Sequence, residues 1–62
     1  MEANLKIEMD NAAFGEYPNH ELARILRELA KRAEVCELTL VDGHFPAIDL
    51  NGNRVGQLRV ED

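Results

Sequence analysis

The side chains that could carry covalent or metal chemistry are few. The chain has one cysteine, Cys36, and two histidines, His20 and His44. A thiol–imidazole nucleophile needs its two groups within hydrogen-bond reach, and no signature spacing joins these residues. Cys36 falls where a helical pattern ends and strand character begins, which suits a buried structural cysteine. A zinc site needs three or four ligands at recognisable spacing, and one cysteine with two dispersed histidines does not supply it. Asp49, Asn51 and Asn53 around Gly52 share part of the pattern of a calcium loop. They lack its closing bidentate glutamate, and a hairpin turn explains Asn-Gly fully. There is no phosphate-cradling glycine loop, Walker motif or nucleophile elbow. The expectation is a protein that binds rather than catalyses, with no cofactor and no metal.

The elements that would position these residues follow from hydrophobic periodicity. In 4–10, Leu5, Ile7 and Met9 alternate with Lys6, Glu8 and Asp10, the period-two pattern of a half-buried strand. Residues 11–19 form a loop around Asn11, Gly15, Pro18 and Asn19. Phe14 and Tyr17 are expected to fold back from it onto the core. Over 20–34, Leu22, Ile25, Leu26, Leu29, Ala30 and Ala33 make one apolar stripe of an α-helix. Asn19 is the expected N-cap, and Lys31 and Arg32 suit the C-terminal pole. Strand character returns at 37–42. Asp42-Gly43 reads as a turn, and 44–50 as a further strand with Ile48 and Leu50 on one face. Pro46 demands a free edge or a bulge there. Asn51-Gly52-Asn53 is the strongest turn signal, and 54–61 is the last strand. Within it, Leu58 and Val60 share one parity and Val55 the other, so Gly56 predicts a bulge that resets the register.

This predicts one α+β domain over 1–62: a two-layer sandwich with a single amphipathic helix on a four-stranded, mostly antiparallel sheet, in the order β-α-β-β-β. A chain of 62 residues buries only roughly 60% of its unfolded surface, so little remains to build a deep cleft. With 45% hydrophobic residues the composition is globular rather than disordered. A single cysteine precludes an internal disulfide. No basic-then-apolar leader or membrane-length apolar run occurs. The expected setting is the cytoplasm.

Charge is unevenly spread. The formal net charge is −5, from twelve acids and seven bases. The segment 19–34 is +1, with Arg24, Arg27, Lys31 and Arg32 against Glu21, Glu28 and Glu34, and the remainder is −6. Glu8, Asp10, Glu16, Glu37, Asp42, Asp49, Glu61 and Asp62 are the expected carriers of an acidic, partner-binding surface. Such a surface disfavours nucleic acid as a direct ligand and suits a protein with a basic nucleic-acid-binding surface, whose phosphate contacts it could imitate. The plain alternative is a solvated acidic exterior.

Three runs carry a resemblance: Lys6-Ile7-Glu8-Met9-Asp10-Asn11-Ala12-Ala13-Phe14, Glu21-Leu22-Ala23-Arg24-Ile25-Leu26, and Asp49-Leu50-Asn51-Gly52-Asn53-Arg54-Val55-Gly56. Together they resemble small open reading frames of bacteriophages and prophages. That resemblance implies a mobile-element origin and carries over no catalytic residue. Small acidic phage proteins are often inhibitors of host defence, anti-CRISPR proteins among them. The expectation is an inhibitor that blocks DNA recognition by a Cas complex, as a monomer or weak homodimer. The alternative is an accessory phage protein that self-associates through an uncovered sheet face, with Val41 and Val55 as contacts. A small enzyme is the third reading, and it lacks a convergent polar set to line a pocket.

Overall fold

A computed structural model describes residues 1–35 and 43–62. In chain order the elements are β1 (Glu2–Ile7), a single 3-10 turn (Ala12–Phe14), α1 (Pro18–Glu34), β2 (His44–Ile48) and β3 (Arg54–Glu61). The α+β class holds, with one helix on an antiparallel sheet. Among the described residues the sheet has three strands rather than four, in the order β1-β3-β2. The strand expected over 37–42 lies outside the described residues, as does Cys36. β1 takes the far side of β3, so the last strand is central, paired antiparallel to both neighbours.

Several boundaries move for identifiable reasons. β1 runs over 2–7 rather than 4–10: Glu2 already pairs with Glu61, and past Ile7 the Glu8 N–H makes a further bond to the Val55 carbonyl at 2.8 Å before Asn11 caps the 3-10 turn. The helix begins at Pro18, not after Asn19. Proline at the first helical position gives up no hydrogen bond there, and Tyr17 occupies the cap position with no side-chain cap bond. β2 stops at Ile48, so Leu50 stands in the turn and is exposed instead of sharing a face with Ile48.

The core is assembled on one face of the sheet. Phe14, Ile25, Leu29, Ala47 and Val55 form the buried cluster, with Ile7, Ala13, Phe45 and Leu58 packed against it. Ile25 is fully buried, which contributes about 1.5–3 kcal/mol. Phe14 reaches this cluster because the Asn11 side chain caps the 3-10 turn, accepting from the Ala13 N–H at 3.0 Å. Tyr17 does not fold back; it is exposed and stacks on His20 with ring centroids 5.4 Å apart. At the other end of the helix, the Arg32 guanidinium donates to the Pro46 carbonyl at 2.9 Å and ties α1 to β2.

The bulge is present. Ala47 lies opposite Gly56 and Ile48 opposite Arg54, so Val55 is the extra residue on β3. The bulge turns Val55 into the core, where it joins Val60 as a buried residue. Val55 is therefore a core contact and not a self-association contact on an open face, and Val41 lies outside the described residues.

Candidate protein-binding surface

Two buried carboxylates organise the end of the molecule where segments 6–14, 21–26 and 49–56 meet. Asp49, only 3% exposed, ends β2. Its Oδ1 accepts the backbone N–H groups of Asn51 at 2.9 Å and Asn53 at 2.8 Å, while Oδ2 accepts from the side-chain amides of Asn11 at 2.6 Å and Asn53 at 3.3 Å. Burial pushes the Asp49 carboxyl up, but these hydrogen bonds outweigh it and hold the group below its ordinary value. Gly52 completes the turn at φ +86°, a left-handed conformation that glycine adopts without strain.

Glu21 is the second, 7% exposed in the first turn of α1. It takes a bidentate pair of bonds from Arg24, at 2.8 and 3.0 Å, and the backbone N–H of Leu50 at 2.7 Å. Arg24 also donates to the Ile48 carbonyl at 3.0 Å. The Arg24 bonds are the main cause of a lowered Glu21 carboxyl, opposed by burial and helped by the Leu50 amide. Among the described residues every buried side-chain nitrogen or oxygen has a hydrogen-bond partner. This is the arrangement of a structural clamp, in which every carboxylate oxygen of Glu21 and Asp49 accepts hydrogen bonds from within the fold.

The clamp presents a surface. Leu50 is 70% exposed and Tyr17 60% exposed. They border a shallow hollow with Ala12, Ala13, Glu16, His20, Arg27 and Asn51. Large apolar or aromatic anchors with a polar rim, on rigid backbone, are the composition of a protein-interaction site. A separate cleft between α1 and β2 holds about 170 Å³, below the usual range of small-molecule sites, roughly 300 Å³ and up. Its two arginines, Arg24 and Arg32, are engaged with Glu21, Ile48 and Pro46.

The expected acidic residues do not fall together. Glu8, Asp10 and Glu16 are exposed at the end that carries the 49–53 turn. Glu61 and Asp62 are exposed at the opposite end, since Glu2 pairs with Glu61 and Ile7 with Gly56. At about 3.3 Å per residue the two groups stand roughly 20 Å apart. Asp49 does not reach the surface, because both its oxygens are spent inside the turn. Glu37 and Asp42 lie outside the described residues. The open face of the sheet is mixed in charge, as the register places Glu2, Lys6, Arg59 and Glu61 on it, with Lys6 near Glu8 and Arg59 near Glu61.

Tyr17 and Leu50 are the surface residues that sequence reasoning missed. The signal available was Leu50 beside Asn51-Gly52: a leucine at the edge of a tight turn is set outward when the preceding residue points in. Among the described residues no group of three or more histidines, cysteines and acids could hold a metal ion, and no helix is long and apolar enough to cross a membrane. No protein-family model, curated protein or solved structure matches the chain.

Proposed function

We propose that this protein acts by binding another protein through the surface built on Tyr17, His20 and Leu50, with Glu8, Asp10 and Glu16 as its acidic margin. One observation carries the reading: two large exposed side chains border the same hollow. Leu50 stands on a turn whose N–H groups the buried Glu21 and Asp49 carboxylates accept, and Tyr17 at the start of α1, where its carbonyl accepts the His20 and Glu21 backbone N–H groups. A pre-ordered anchor loses little side-chain and loop entropy on association. The acidic margin fits a partner with a basic face. Together with the phage resemblance of the three runs, this supports an inhibitor of a host nucleic-acid-binding defence complex, an anti-CRISPR protein in the narrowest form. The scattered acids favour contact through the anchors with charge at the rim, over imitation of a continuous phosphate array.

The test is phage plating on bacteria that express the protein and carry different active CRISPR systems. Restored plating in one system, lost with Tyr17→Ala plus Leu50→Ser and reduced with Glu8→Lys plus Asp10→Lys, is the expected result. Protection unaffected by the anchor pair overturns the surface. No effect in any system overturns the anti-CRISPR form.

A further inference from the structure

The described sheet has two edges, and they differ in what they offer. β2 carries Pro46, which has no N–H to donate. β1 has no proline, and its residues Glu2–Lys6 are all exposed. The phase of its hydrogen bonds can be read from one contact. Glu8 N–H meets the Val55 carbonyl, and hydrogen bonding alternates along an antiparallel pair. Lys6, Asn4 and Glu2 therefore turn their backbone groups toward β3. The N–H and C=O groups of Ala3, Leu5 and Ile7 point to the outer edge.

We propose that β1 pairs, antiparallel, with β1 of a second copy of this chain about a two-fold axis through Asn4. In this register Ala3 lies opposite Leu5 of the second copy, and Leu5 opposite Ala3. Both are pairs with outward backbone groups, so each exchanges two hydrogen bonds. Glu2 lies opposite Lys6 of the second copy, and Lys6 opposite Glu2. These are the non-hydrogen-bonded pairs, in which side chains approach most closely. Leu5, paired with Leu58 and hence on the helix-covered side, is 45% exposed. Dimerisation extends that side and covers it.

The competing registers are worse. A shift by one residue sets Leu5, whose backbone groups point outward, opposite Asn4, whose groups face β3, so the hydrogen bonds do not form. A two-fold through Leu5 keeps the sides aligned but places Glu2 opposite Glu8 of the second copy, twice, which is repulsive. A two-fold through Ala3 also keeps the sides aligned but sets Glu2 opposite Asn4 and forms no ion pair, so the alternating charges favour the two-fold through Asn4. The pairing uses a different part of the molecule from the Tyr17–Leu50 surface and needs no other partner.

Sedimentation equilibrium of the full chain tests this. An interface below about 1,200 Å² is weak, so the expected mass rises from monomer to dimer between about 10 µM and 1 mM. Glu2→Lys alone and Lys6→Glu alone each create two like-charge pairs and weaken the dimer about tenfold or more. The double variant, Glu2→Lys with Lys6→Glu, restores it. Circular dichroism confirms that each variant is folded, as expected for exposed positions. A native chain that stays monomeric at about 1 mM, where even a weak pairing would show, overturns the proposal. So does a dimer strengthened by Glu2→Lys, or one that the double exchange fails to restore.

Discussion

Leu50 donates its backbone N–H to the carboxylate of Glu21 at 2.7 Å, across twenty-nine residues of sequence. This bond joins the first turn of α1 to the turn between β2 and β3. It explains why a glutamate is buried on the apolar side of the helix. The same carboxylate holds Arg24, which reaches on to the Ile48 carbonyl. Helix and hairpin are thus fastened at this end by a polar clamp.

Glu21→Ala removes the acceptor for Leu50 and the partner of Arg24. The expected loss is about 2 kcal/mol, the scale of hydrogen bonds to a charged group. Glu21→Gln retains an acceptor for the Leu50 amide and loses less. Glu28→Ala, on the exposed side of the same helix, changes stability by no more than about 0.5 kcal/mol. Urea denaturation of the three variants checks the order. Equal losses for Glu21→Ala and Glu28→Ala would show that the clamp does not stabilise the fold.

The clamp also sets an acid limit. Glu21 and Asp49 are both held below their ordinary values, 4.5 and 3.8. The unfolded chain therefore binds more protons than the folded one in acid. Their contribution is fully present above about pH 5 and is lost as pH falls through these ordinary values toward the lower folded ones. Urea midpoints measured from about pH 7 to about pH 3, a range that spans this loss, should be flat at first and then fall. The fall should be shallower in Glu21→Gln and in Asp49→Asn, each already weakened at neutral pH. A slope unchanged in both variants would assign acid sensitivity to other carboxylates.

The strand of Arg54–Glu61 and the body of α1 are legible in the sequence because their patterns are long and their signals redundant. The Gly56 bulge is legible because Val55 and Leu58 sit in conflicting parity. The pairing of β1 with β3 is not, since period two states that a strand exists and not which neighbour it takes. Asp49 reads as a surface acid, and Glu21 as one of the helix's charges, because their type favours solvent. Their burial depends on donors from distant segments, Asn11 and Leu50, that no local pattern reveals. Tyr17 fits the rule that scarce aromatics fill a small core, and Pro18 at the helix start turns it out instead.

Exposure of the anchors predicts a separation of stability from binding. Leu50→Ser and Tyr17→Ala remove side chains that bury little, so thermal unfolding should shift by a few degrees at most. Leu50→Pro instead deletes the N–H that Glu21 accepts and should destabilise markedly. If Leu50→Ser proves as damaging as Leu50→Pro, the leucine side chain packs on the fold and is not a free anchor.

Two glycines on either side of Asn53 should respond differently to alanine. A Cβ on Gly56 would come 2.8 Å from the Lys6 carbonyl carbon and 2.9 Å from the Ile7 Cα, with the Lys6 carbonyl oxygen closer still. These are backbone atoms of β1, so no rotamer change relieves the clash. The strand must move off β3, and Gly56→Ala should cost about 3 kcal/mol or more, at or above the upper end for overpacking. Gly52 has φ +86°, and a methyl group there would have no neighbour within 4 Å. Gly52→Ala meets only the left-handed backbone penalty, about 1–2 kcal/mol. Hydrogen exchange separates the two mechanisms. In Gly56→Ala the amides of Glu2, Asn4 and Lys6, which face β3, should lose protection, whereas in Gly52→Ala they should keep it relative to the rest of the sheet. Retained protection of β1 in Gly56→Ala would mean that the sheet accommodates the methyl group without releasing its edge strand.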